Sequence, residues 1–257
     1  GQIPETHPVF EETRYGLAFA QLKNGNPYEA LQVLDQVVNA SPGFGKARYL
    51  LGVTLVNIPG DKSMQRGVDV MQKLAQDGRA PYKEQAARAA TRFAYDLSTL
   101  RHAGGDAAGA AKQLSALTSA VGKDMGADAT ENSRVDFAAG IYRRDTGDVF
   151  GALQGLEAVH AAQPGFQLSN GVTVRAVLSN AYYEAGLQQL QLGGDSAATL
   201  AAQLFDSAQN TGDASALDVR HGKAIAYSKL GQLDKAGEEL KAIVAKDPAY
   251  YDRIKKK

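Results

Sequence analysis

Few side chains able to make or break bonds fall at spacings that catalysis needs. His7, His102, His160 and His221 are isolated from one another, and no His-Glu-x-x-His pair offers a zinc site. No Gly-x-x-x-x-Gly-Lys-Ser/Thr or Gly-x-Gly-x-x-Gly loop is present to cradle a phosphate. The acidic pairs Glu11-Glu12 and Glu238-Glu239 are adjacent in sequence. On a helix neighbours point roughly 100° apart, so they do not converge on one substrate atom. The serines lack a Gly-x-Ser-x-Gly setting, and cysteine is absent, which excludes thiolate nucleophiles, disulfides and Cys-based metal sites. The expectation is a protein without catalytic residues, metal or cofactor.

Arginine and aromatic residues, in contrast, recur. Arg14, Arg48, Arg175 and Arg220 each stand eleven residues before a turn read at Gly25, Pro59, Gly186 and Gly231. Arg92 and Arg134 lie two residues off that place. Tyr15, Tyr49, Phe93 and His221 follow the arginines directly, and Tyr95, Phe137 and Tyr183 complete the aromatic set. Phe19 lies one helical turn beyond Tyr15. Two readings fit such a ladder. Arginine can pair with carboxylates of a bound peptide while rings stack on it. Alternatively, the rings pack between neighbouring repeats and the arginines bridge to acidic residues there.

The elements that would position this ladder form an internal repeat. Gly25-Asn26-Pro27-Tyr28-Glu29-Ala30-Leu31, with Leu34 and Ser41-Pro42-Gly43-Phe44, returns as Gly147-Asp148-Val149-Phe150-Gly151-Ala152-Leu153, with Leu156 and Gln163-Pro164-Gly165-Phe166. A third copy runs from Gly231 through Ala236 and Leu240 to Pro248. The glycines allow the positive φ that ends a helix, and Asn26 or Asp148 is placed to cap the next one. The prolines close the second helix. Weaker copies fill the gaps, with turns expected near Pro59-Gly60, Gly104-Gly105 and Gly186, the last followed by a long connection through Gly193-Gly194-Asp195. Six helix pairs result.

This pattern resembles the tetratricopeptide repeat, of about 34 residues. Leu17-Ala18, Leu51-Gly52 and Ala139-Gly140 stand at its Leu-Gly pair and Tyr182 and Tyr227 at its Tyr, though the chain has no Trp. The resemblance implies an all-α solenoid, a right-handed superhelix of stacked helix pairs in which first helices line a concave groove. It implies a scaffold that binds a protein or peptide there. The chaperone-type carboxylate clamp is not expected, because Tyr15, Phe19, Tyr49 and Val53 occupy its Lys and Asn places. A small-molecule or glycan carrier with a pocket between halves, and an oligomerisation module stacking through its end repeats, are the other readings.

One solenoid domain, 1–257, is expected, with possible halves 1–120 and 129–257 about a loop at 121–128. Lys plus Arg and Asp plus Glu are 28 each, so the net charge of +0 offers nucleic acid no broad attraction. The sequence lacks an apolar run of the roughly 20 residues that a spanning helix needs. Its cysteine-free composition suits a bacterial periplasm or cell envelope as well as a cytoplasm.

Overall fold

A computed structural model describes residues 8–79, 81–121, 129–212 and 215–254. The helices come in pairs: α1 (Pro8–Lys23) with α2 (Pro27–Ala40), α3 (Gly45–Val56) with α4 (Asp61–Asp77), and α5 (Tyr82–Ala103) with α6 (Ala107–Val121). They continue as α7 (Ala129–Asp145) with α8 (Val149–Ala162), α9 (Val174–Leu192) with α10 (Asp195–Thr211), and α11 (Ala216–Lys229) with α12 (Leu233–Lys246). A short α13 (Tyr250–Ile254) follows. Among the described residues there is no strand, only one isolated bridge between Gln167 and Thr173. Over the described residues the architecture is all-α and built of six helix pairs.

The chain divides into two compact units, Gly1–Val135 and Asp136–Lys257, with the boundary inside α7. In the first unit each helix from α1 to α6 packs on the next. In the second, α8 to α12 do the same. One core cluster of the first unit joins Ala18, Ala30, Leu34, Val37, Ala47, Leu51 and Leu55 across α1, α2 and α3. That of the second runs from Phe137 through Leu156 to Leu178 and Ala185, and a neighbouring cluster gathers around Phe205. Within each unit these clusters span consecutive pairs, so neighbouring pairs bury helix faces of one another. The loop expected at 121–128 lies, past Val121, outside the described residues.

One spacing rule organises the first helices. Gly25, Gly105, Gly147, Gly193 and Gly231 all take φ between +70° and +87°, where only glycine is unstrained. Seven residues before them stand Ala18, Ser98, Gly140, Gly186 and Ala224, all buried. These small positions admit a large side chain of the partner helix. A methyl group on Gly140 would come 2.7 Å from Leu156, and one on Gly186 2.6 Å from the Phe205 ring. In the second pair the loop is one residue longer, ending at Gly60, and Gly52 faces Met71 in the same way.

This rule corrects the expected turn at Gly186. That glycine is buried inside α9, where it makes room for Phe205, and the chain turns at Gly193-Gly194. The capping expectation divides too. Asp148 accepts a hydrogen bond from the Gly151 N–H at 3.0 Å, whereas the Asn26 amide turns back to donate to Gln21. Pro27 presets the first turn of α2 without that cap. Asp148→Ala is therefore expected to destabilise the second unit by about 0.5–2 kcal/mol, readable in chemical denaturation. Asn26→Ala should have a clearly smaller effect.

Candidate functional site

The arginines act chiefly within their own pairs. Arg14 on α1 donates to Gln36 on α2 at 2.6 Å. Arg48 on α3, almost fully buried, reaches Asp77 at the end of α4 at 2.7 Å. Arg220 on α11 pairs with Glu239 on α12 at 2.6 Å. Arg175 donates to the Thr211 carbonyl that ends α10. Its match to the other three was set by counting from Gly186. Counted from the true turn at Gly193, Tyr182 occupies the arginine place and Tyr183 the aromatic one.

The aromatic position is the more regular of the two. Ten residues before the positive-φ glycines stand Tyr15, Tyr95, Phe137, Tyr183 and His221, with Tyr49 at the same place in the second pair. Most of these rings meet the start of the following first helix. Tyr15 meets Phe44 edge-on at 6.0 Å, Tyr49 lies 6.3 Å from Tyr82, and Phe137 meets Phe166 edge-on at 5.7 Å. The Arg134 guanidinium lies over Tyr95, and His221 meets both Tyr250 and Tyr251 at 5.8 Å. Tyr183 instead packs against Phe205, 5.8 Å away. Phe137 is wholly buried, so this ring is a joint between pairs and offers nothing to a partner.

The aromatic joint, the small position and the turn glycine share one register across the pairs. The fold is tetratricopeptide-like. Among solved structures the chain is similar to PilW, a widely conserved type IV pilus biogenesis factor, at 13% identity over 95% of this chain and 96% of that one, with a TM-score of 0.37. It is similar to Pseudomonas aeruginosa PilF at 16% identity, covering 96% and 97%, with a TM-score of 0.38. YrrB, a TPR protein with an unusual peptide-binding site, gives 17% identity, coverage of 82% and 90%, and a TM-score of 0.35. No protein-family model matches the sequence, and no curated protein matches it. The assignment of the tetratricopeptide-like fold rests on the helix pairs and their joints, not on these likenesses.

Among the clefts on the first unit of this tetratricopeptide-like array, two bring aromatic and charged side chains together. One, of about 740 Å³, lies where α1 meets the starts of α3 and α5, and is lined by Glu12, Phe44, Lys46, Asp77, Arg79 and Tyr82 among others. Lys46 holds Glu12 at 2.9 Å and sits 4.3 Å from the Tyr15 ring centroid. The hydrogen bond that Lys46 donates to Glu12 raises the pKa of its ammonium above the ordinary value. Arg48 and Asp77 neutralise each other, so Arg79 is left with no ion-pair partner among the described residues. The second cleft, about 400 Å³, is lined by Arg92, Tyr95, Asp96, Glu131 and Arg134. Asp96 is exposed, yet the cleft walls desolvate its carboxyl enough to raise its pKa against the pull of Arg92 and Arg134.

The expected ladder thus separates into parts. Arg92, Tyr95 and Arg134 come together in the smaller cleft, while Phe19 stacks on Tyr15, 6.5 Å between centroids, and stays exposed. Lys46, Arg79 and Tyr82 were missed by the arginine count, because they sit at the starts of first helices and in the connections before them. The Pro81-Tyr82 step, like Gly43-Phe44, is the signal that would have found that edge.

Proposed function

We propose that this chain is a non-catalytic scaffold that binds an extended peptide of a partner protein on the first-helix side of its N-terminal unit. The observation that carries this reading is the 740 Å³ cleft, whose rim combines the half-buried Tyr82 ring with the unpaired Arg79. Its other charges are matched within the cleft, so a bound peptide needs one carboxylate for Arg79 and apolar side chains for Phe44 and Tyr82. An open, wet surface of this kind suits main-chain and side-chain contacts with a segment that orders on binding.

Selection of peptides from a displayed random library on the immobilised chain, followed by affinity measurement, tests it. Arg79→Glu and Tyr82→Ala are each expected to weaken the selected peptides about tenfold, or about 1.4 kcal/mol, with helical content unchanged. Peptides that bind both variants as tightly as the parent, but lose affinity on Tyr28→Ala at the turn end of α2, would overturn the assignment to this cleft.

A further inference from the structure

The smaller cleft of the first unit holds charges that the peptide reading does not use, and it shares no lining residue with the larger one. One wall is the face of α5 that carries Arg92, Tyr95 and Asp96 at three- and four-residue steps. The other is the opening of α7, where Glu131 and Arg134 stand about one turn apart. Each wall therefore brings one cation and one anion. Between them lie Thr91 and Val135, both almost fully buried, and the Thr91 hydroxyl is already donated to the Ala87 carbonyl at 3.0 Å.

The charges in this cleft do not satisfy one another. Arg92 and Arg134 both attract the Asp96 carboxyl through space, yet among the described residues neither bonds to it or pairs with another carboxylate. Burial consequently raises the Asp96 pKa in spite of both guanidiniums, a penalty that a cation placed directly against the carboxyl would remove. Arg134 lies over the Tyr95 ring, 5.9 Å from its centroid, a contact that leaves N–H donors for a ligand. Glu131 has interactions of its own, but an ionised carboxylate offers about four acceptor sites, so it can take a further donor.

We propose that this cleft binds a free α-amino acid in its zwitterionic form, with the ligand carboxylate bridging Arg92 and Arg134 and its ammonium between Asp96 and Glu131. Two charges of each sign, one of each on either wall, complement a ligand whose opposite charges are adjacent and sum to zero. A dianion would meet two carboxylates, and a simple cation two guanidiniums. The volume of about 400 Å³ lies within the range of small-molecule sites. Tyr95 and Val135 supply the apolar surface for the ligand side chain, so an uncharged side chain is favoured.

Isothermal titration calorimetry of the whole chain, with leucine as the probe, tests this. Saturable binding is expected at millimolar leucine. N-acetyl-leucine, which lacks the ammonium, and leucinamide, which lacks the carboxylate, should each bind about tenfold more weakly. Arg92→Gln, Arg134→Gln and Asp96→Asn, all on exposed side chains, should each weaken leucine about tenfold without lowering the melting temperature. Arg79→Glu and Tyr82→Ala should leave leucine binding unchanged, so this site and the peptide cleft stand or fall separately. No saturation with leucine, N-acetyl-leucine binding as tightly as leucine, or full affinity in all three cleft variants overturns the proposal.

Discussion

Phe205→Ala is expected to lower the stability of the second unit by about 3–5 kcal/mol, the range for emptying a fully buried aromatic site. The ring lies between two glycines on the first helices of neighbouring pairs. A methyl group on Gly186 would stand 2.6 Å from it and one on Gly222 2.5 Å. Collapse onto the vacated volume would need α9 and α11 to move toward α10 together, so relaxation offsets little of the loss. Chemical unfolding followed by far-ultraviolet circular dichroism measures the change. The same geometry predicts coupling: Gly186→Ala should destabilise by about 1–3 kcal/mol in the parent and by less in a Phe205→Leu background, whose side chain ends short of the colliding ring atoms. Equal effects in both backgrounds would show that the glycine is not held by the ring.

The second large effect is expected at Lys223. This lysine is almost fully buried on α11 and binds Asp206 on α10 at 2.8 Å and Glu239 on α12 at 2.9 Å. Lys223→Met should destabilise by about 2–4 kcal/mol, because the largely buried Glu239 keeps only Arg220 as a cation. The pH dependence follows from the same site. Burial pulls the Lys223 pKa down, but the bonds to Asp206 and Glu239 outweigh it, and the folded value lies above the ordinary 10.5. A cation held up in this way stabilises fully below its unfolded pKa and ceases to do so as pH rises through the folded one. The Tyr182 and Tyr250 phenols, raised by burial and by their bonds to Glu157 and Asp218, act in the same direction. Melting temperature should therefore fall above about pH 10, and the lysine's part of that fall should vanish in Lys223→Met.

Much of this fold can be read from spacing, since glycine, small residue and aromatic recur at fixed intervals. The error at Gly186 shows the limit. A glycine can end a helix through positive φ or sit inside one where two helices approach closely, and the residue type alone does not distinguish these uses. Only the bulk opposite it, Phe205, decides. Arginine spacing leaves its two readings open for a related reason. Arg14, Arg48 and Arg220 repeat because each ties its helix to its own partner, and that partner is a Gln, an Asp or a Glu at three different places on the second helix. Recurrence reveals a shared job without revealing that the job is internal. The larger cleft escaped the arginine count because Lys46, Arg79 and Tyr82 stand at the starts of first helices or just before them, away from the place eleven residues before each turn.

The ring-to-ring joints have one more consequence. Tyr15 with Phe44, Phe137 with Phe166 and His221 with Tyr250 are variants of a single fastening, each made of one ring from a first helix and one from the segment that opens the next. Duplicating or deleting one pair leaves both halves of the fastening intact on either side of the cut. Array length is thus the property of this chain that evolution, or a designer, could change with the fewest accompanying substitutions.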